Sequence, residues 1–519
     1  MATAHTKDVV RFYLDHGLLV TKEAIEAGLD IDESLVTEVA DANVIVLGKL
    51  EKDLLPSKKE LDWAGFERSK VLAEKGKESK AHEEFLKIAN TPRSDQINPP
   101  ASQASVKVVF SYAGLPRKRE VQDFIGYYNA RYRQMEHLLK NRAELQSAIS
   151  ISRALGRREK EAVALIAIVA EKAETKNGNL MLTLQDPTGE VKAVISKSKP
   201  ELFALAKDIM LDEVIGVVGT SANQVVFANN VLWPDVPVNR ELKKAQEPGY
   251  ALVLSDLHIG SRQFLEEKFQ RFLSWINGAS GNEQQRAIAA NVKYIFIVGD
   301  LVDGVGIYPE QEKDLAITDV ILQYSRCAAL LSQIPERIPI ILSAGNHDAV
   351  RLAEPQPTLP VDFAKPLYDM PNVMMVSNPA VVNIHSAEGF SGFDALIYHG
   401  YSIDYYVANC DTIRSQGGYD RPDILMKFLM TRRHLAPTHT SSLFLPDVMD
   451  HQVIDHIPDF FLTGHIHKSA ALNYRGITMV CGSCWQSKTS FQEKVGHNPE
   501  PGRVPVINLQ TREIKILRF

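Results

Sequence analysis

The chain has 519 residues, too many for one ordinary core and enough for roughly three to four domains. Apolar residues make up 45% and charged residues 24%, and no apolar run approaches the roughly 18 residues of a membrane span, so a globular protein that does not cross a bilayer is expected. A formal charge of −6 argues against gripping nucleic acid unaided, because backbone binding rests on clustered Lys and Arg.

The start, Met1-Ala-Thr-Ala-His-Thr-Lys-Asp8, has no apolar segment behind a basic stretch, which predicts no secretory leader and an intracellular protein. Among the four cysteines, Cys327 and Cys410 stand alone, which speaks against a disulfide framework and fits a reducing compartment. Cys481 and Cys484 form a single C-x-x-C behind an apolar strand and read as buried small residues, with no function assigned.

In chain order, residues 1–75 carry apolar positions at helical spacing (Val9, Val10, Phe12, Tyr13, Leu14), with Thr21 as a helix cap, and predict a small helical domain. Residues 76–106 turn charged and then rich in proline and small polar residues, a composition that builds no core, and read as a flexible linker. Residues 107–156 read as a connecting helical segment, with a long amphipathic helix from Glu120 to Ile149 striped by Phe124, Tyr127, Tyr128, Tyr132, Met135 and Leu138. From 157 to 246 short strands follow one another: Ala164 to Val169, Leu180 to Leu184, Val191 to Ile195, Val214 to Val218 and Val225 to Phe227. Asp186-Pro-Thr-Gly189 makes a turn and Pro200 to Met210 a short helix, a pattern that resembles an OB-fold β-barrel. Its few aromatics (Phe203, Phe227, Trp233) favour packing or protein docking over base stacking. Residues 247–519 read as an α/β domain.

Five segments there carry the chemistry: Asp256-Leu-His258, Gly299-Asp300, Gly345-Asn-His-Asp348, His399-Gly400 and Gly464-His-Ile-His467. Each follows an apolar, β-prone run (Tyr250 to Leu254, Tyr294 to Val298, Ile338 to Leu342, Ala395 to Tyr398, Phe460 to Leu462). Every candidate therefore sits past the C-terminal end of a strand, the edge where α/β loops converge on a ligand. Asp256 and His258, at i and i+2, project to one side and can share a metal, as can His465 and His467. Asp300 has two carboxylate oxygens and can bridge two cations at roughly 3.5–4 Å. Asn346 adds a neutral oxygen, and His399 completes the set.

Such motifs resemble the calcineurin-like metallophosphoesterases, whose fold is a two-sheet sandwich flanked by helices. By that likeness one metal takes Asp256, His258, Asp300 and His467, and the second takes Asp300, Asn346, His399 and His465. A cation pair attracts a phosphate and acidifies a water into a nucleophile near neutral pH. His347 is assigned the catalytic role, oriented by Asp348, stabilising the transition state or protonating the leaving oxygen. Asp303 reads equally as support for the site or as a turn residue. Oxygen and imidazole donors without thiolate favour Mn²⁺, with Fe²⁺ or Zn²⁺ as alternatives.

A narrower likeness covers roughly residues 107–519. Gly299-Asp-Leu-Val-Asp-Gly-Val-Gly-Ile-Tyr-Pro309, Gly345-Asn-His-Asp-Ala-Val-Arg351, Ser377-Asn-Pro-Ala380, His399-Gly-Tyr-Ser-Ile-Asp404, Arg432-Arg-His-Leu-Ala-Pro437 and Thr463-Gly-His-Ile-His467 resemble the small subunit of archaeal D-family DNA polymerases. The resemblance implies a 3′–5′ proofreading exonuclease paired with a large polymerase subunit, acting on single-stranded or frayed 3′ DNA ends, with a sliding clamp reached through the holoenzyme and a cytoplasmic, nucleoid-associated location. Arg432, Arg433 and His434 are candidate contacts to the DNA backbone. Alternatives are a stand-alone phosphomonoesterase or protein phosphatase, against which the barrel and the insertion from Ser402 to Pro458 count, and a silent scaffold, against which the complete ligand set counts.

Overall fold

The computed structural model describes residues 105–519, apart from 115–116, 157–159, 490–491 and 494–495, together with positions 9, 10, 12, 13, 19, 20, 31, 46 and 47. The chain divides into two compact units, Met1–Asn98 and Pro99–Phe519. In the first, Leu19–Val20 pairs in parallel with Val46–Leu47, and Val9 and Tyr13 are buried. The helical domain expected over 1–75 and the linker over 76–106 otherwise lie outside the described residues.

Two six-stranded sheets dominate the second unit. In the first sheet, Tyr250–Leu254, Val292–Val298, Ile340–Ser343 and Val373–Met375 run parallel, with Arg503–Asn508 and Ile514–Arg518 added antiparallel at the other edge. In the second, Phe393–Ile397, Phe460–Thr463 and Ile477–Cys481 run parallel, flanked by antiparallel Ala470–Tyr474 on one side and Ala380–Ile384 on the other. These strands are near-continuous apolar runs because both their faces are covered. Between the sheets lie Val253, Phe296, Ile341, Ala395, Phe460 and Val480. Beyond the first sheet pack the helices Glu266–Ile276 and Val320–Leu331, through Phe269, Phe272 and Tyr324. Ile403–Asn409 and Pro422–Arg432, through Tyr406 and Leu429, cover the second. A two-sheet sandwich flanked by helices, as the sequence predicts, sends the C-terminal ends of its parallel strands to one edge.

A closed five-stranded barrel stands before it, in the order Glu161–Glu174, Leu180–Asp186, Gly189–Ile195, Val225–Leu232, Val214–Ala222. Leu165, Leu182, Ala193 and Val217 are fully buried in its core. The strands outrun the apolar stretches that betray them, because their polar, outward residues continue the ladder.

Two expectations for residues 107–156 fail. The segment opens with a strand, Val106–Ser111, which pairs antiparallel with Ala380–Ile384 as the edge of the second sheet; its alternating burial reflects one face packed and one exposed. The long helix runs only from Val121 to Leu139, then breaks to a turn and a short 3-10 segment, Ala143–Leu145. It packs Tyr132, Met135 and Leu139 on the barrel's Ala164, Ile166 and Val214. Tyr132 donates to the Ile166 carbonyl at 3.0 Å, pinning that contact.

Arg432, Arg433 and His434 do not face DNA. All three are buried at the junction of barrel, helix and insertion. Arg432 pairs with the buried Glu213 carboxylate, donates to the Asp208 carbonyl at 2.6 Å and stacks on Phe428. Arg433 donates to the carbonyls of Ile454 (2.6 Å) and Asp455 (2.7 Å). His434 lies 2.9 Å from Asp450, which also holds the buried Arg131 at 2.6 Å. Buried charges persist only when paired, and here they join the insertion to the barrel. Among the described residues no helix is long and apolar enough to cross a membrane.

Candidate metal centre

The left-handed backbone region is adopted by Asp256 (φ 52°), His258 (49°), Asp300 (50°), His465 (71°) and His467 (55°). Few side-chain-bearing residues take this conformation, and its cost, of order 1–3 kcal/mol each, is borne where surrounding structure fixes it. The chain turns just past each strand end, and the side chains carried there converge on one another. Closeness does the rest. A Cβ at Gly345 would come within 2.2 Å of Asp300 Oδ1, and one at Gly299 within 2.3 Å of the His399 ring.

Ligand atoms gather in three overlapping groups, each within 4.8 Å: Asp256, His258 and His467; His258, Asp300 and His347; Asp300, His399 and His465. His258 Nε2 lies 3.1 Å from His467 Nε2 and 3.8 Å from Asp300 Oδ2. His467 Nε2 is 3.4 Å from Asp256 Oδ1. Across Asp300, His399 Nε2 is 3.3 Å from Asp300 Oδ2 and 3.0 Å from Asn346 Oδ1. The structure thus brings all seven expected ligands into one cluster with Asp300 at its centre, Asn346 and His465 half-buried and the other five buried.

Outward hydrogen bonds set the tautomers. His399 Nδ1 donates to the Val298 carbonyl at 2.8 Å, which aims Nε2 at Asp300. His258 Nδ1 faces Asp303 Oδ1 at 3.0 Å, and His467 Nδ1 lies 2.9 Å from the Gln492 amide. His465 Nε2 lies 3.0 Å from Asp404. Such outer partners fix ring orientation in metal sites. Two features test whether cations fit. Asp256 Oδ1 is buried with no hydrogen-bond partner, and two imidazole nitrogens face each other at 3.1 Å. Both are satisfied by a cation among them, and oxygen plus imidazole donors suit a divalent ion.

Electrostatics follow the same grouping. Burial opposes ionisation of Asp300, yet His399 and His347 overcome it and hold the carboxyl well below its usual range. Burial would lower His399, but the Asp300 carboxylate drives it up to about 10. Asp256 is lowered, with burial outweighed by His467. His347 is lowered by burial, which favours the neutral ring.

Asp348 does not orient His347. Adjacent side chains on this turn diverge: Asp348 points inward, accepting from Tyr324 Oη (3.0 Å) and from the backbone N–H of Gly345 (2.8 Å) and Leu301 (3.3 Å). Burial and the nearby Asp300 raise its carboxyl to about 7. The His347 ring is held instead through Nδ1, which donates to the Asp303 carbonyl at 2.8 Å, so Asp303 supports two histidines. Gln486, which donates to Asp303 Oδ1 at 2.9 Å, and Gln492 escaped the sequence reading. Both follow the last strand of the second sheet without any motif, and only their distance past a strand end could have marked them. Cys481 and Cys484 are free and buried, and burial pushes each thiol up to about 12.

The model of the calcineurin-like phosphoesterase family matches residues 250–469. The DNA polymerase II small subunit of Methanothermobacter thermautotrophicus is 40% identical over 403 residues, 77% of this chain and 80% of that one. The protein of the same name from Archaeoglobus fulgidus is 37% identical over 82% of this chain and 85% of its own length. That of Methanocaldococcus jannaschii is 39% identical over 75% of this chain, and the match spans 64% of it. With this similarity along most of its length and a phosphoesterase domain holding a buried Asp/His cluster, the chain belongs to the small-subunit family of archaeal D-family DNA polymerases.

Proposed function

We propose that the protein is the 3′–5′ exonuclease subunit of a D-family polymerase, excising misincorporated nucleotides from single-stranded or frayed 3′ ends beside a large polymerising subunit. The observation that carries this reading is the shared position of Asp300 between two ligand groups, with His347 alongside. One cation would be held by Asp256, His258, Asp300 and His467, the other by Asp300, Asn346, His399 and His465, with manganese the first choice. When bound, such a pair supplies Lewis acidity to the phosphate and acidifies a water.

The chain's own residues do the rest. His347, neutral and donating through Nδ1 to the Asp303 carbonyl, presents Nε2 as the group that takes a proton and returns it to the departing 3′ oxygen. Asp300 and Asp303 favour the transient imidazolium. The products are a 5′-mononucleotide and a strand one residue shorter with a 3′ hydroxyl. Net charge of −6 fits a subunit whose partner supplies much of the phosphate-binding surface, and a sliding clamp would be reached through that holoenzyme. The barrel, read as an OB fold, is the candidate docking face. Purified protein with Mn²⁺, offered 3′-labelled single-stranded DNA, a 5′-blocked oligonucleotide and p-nitrophenyl phosphate, tests the reading. Release of mononucleotides from 3′ ends is expected; cleavage of the monoester alone would replace it with a phosphatase.

A further inference from the structure

The cleft over the candidate metal centre has a volume of about 510 Å³. That falls among small-molecule sites, about 300–1,000 Å³, and exceeds what a lone phosphate would fill. His258, Asp300, Asn346 and His347 line it together with Ile307, Leu352 and Tyr401. Ile307 and Leu352 are 38% and 42% exposed, large aliphatic groups held in water beside a cluster of charge.

The exposure of Ile307 is built in. Gln311, fully buried, accepts from the Ile307 N–H at 2.9 Å and donates to the Asp303 carbonyl at 2.9 Å. Asp303 in turn holds His258. Gly304 lies so close to the His347 carbonyl that a Cβ there would come within 2.3 Å. Hydrogen bonds thus tie the loop that carries Ile307 to Asp303 and so to the candidate metal centre. Tyr401, half-buried, sets its ring edge-on to His465, centroids 5.8 Å apart.

We infer that Ile307, Leu352 and Tyr401 form a nucleobase subsite that packs the unpaired terminal base while its phosphodiester rests over Asp300 and His347. The inference rests on the exonuclease reading and gives it a substrate class: any single-stranded end, whatever the base. Apolar and aromatic surfaces accept the face of every base and read no hydrogen-bonding edge. A paired base keeps its faces in the duplex stack and reaches the subsite only after unstacking, so the lip itself would favour frayed ends.

The test compares two single-stranded oligonucleotides, one ending in an ordinary nucleotide and one in a 3′-terminal abasic residue, with the full chain and Mn²⁺. Wild type should show a KM about tenfold lower for the base-bearing end, as expected from base stacking. The double variant Ile307→Ala/Leu352→Ala, and separately Tyr401→Ala, should raise that KM toward the abasic value while the abasic KM moves little; Tyr401→Phe should restore the preference. Both aliphatic positions are exposed, so melting temperature should hold. A preference that persists in every variant, or is missing from wild type, overturns the subsite alone. If neither oligonucleotide is shortened while p-nitrophenyl phosphate is cleaved, the exonuclease reading falls and the subsite with it.

Discussion

Asp303 Oδ1 lies 3.0 Å from His258 Nδ1, while the Asp303 backbone carbonyl accepts from His347 Nδ1 at 2.8 Å. One residue thus orients both a candidate ligand and the candidate proton carrier, the first through its side chain and the second through its main chain. Asp303→Ala should therefore weaken metal affinity 10–100-fold, the usual effect of losing such an outer partner, yet leave the His347 ring held. Calorimetric titration with Mn²⁺ checks this. Unchanged affinity would reduce Asp303 to a turn residue.

His347→Ala should lower kcat on a 3′-labelled oligonucleotide by about 10²–10⁴-fold, the range for a lost proton-transfer group, with metal content near wild type. Asp300→Ala should strip metal and activity together, since both ligand groups share it. Elemental analysis beside the rate assay separates the two. Equal metal loss in both variants would refute the role given to His347.

Arg432 is sealed against Glu213 and Phe428. Removing one partner of a buried pair typically costs 3–5 kcal/mol. Arg432→Ala should therefore destabilise the protein by about that much in urea denaturation, while Arg432→Met with Glu213→Gln should cost clearly less. Salt dependence of DNA binding should not change in the double variant. A shallower salt slope there would return Arg432 to the DNA.

Glu354 is buried, with Oε1 unpartnered and Oε2 contacting Tyr398 Oη and Gln452. Burial raises its carboxyl from 4.5 to about 7. Between those values the folded state keeps a proton that the unfolded chain has released, so stability falls as pH climbs from 4.5 and levels off above 7. Glu354→Gln should remove Glu354's share of that slope, leaving the part due to the similarly raised Asp348, and gain about 3 kcal/mol over wild type at pH 8. Denaturation curves at pH 5, 6, 7 and 8 read it, and parallel pH profiles for the two proteins would sink it.

Much of the site was legible because five strands of the sandwich are apolar runs that end just before a ligand motif. The strand Tyr250–Leu254 was read to the residue, and Asp256 and His258 sit where that end predicts. What stayed hidden depends on contacts distant in sequence or on local direction. The partner that buries Arg432 is 219 positions away, so its short basic run reads in sequence as a contact to DNA. Asp348 follows His347 directly, and spacing alone does not say that the two diverge. The strand Val106–Ser111 follows a proline-rich stretch and acquires its meaning only from Ala380–Ile384.

Five of the candidate ligands hold a backbone shape that short peptides avoid. Such a shape survives only where the surrounding structure holds it, so the geometry of the cage depends on the strand ends that carry it. Loosening of the sheet edges on warming would release those turns first. Catalysis should therefore fade several degrees below the temperature at which the protein as a whole melts, with excess manganese narrowing the interval.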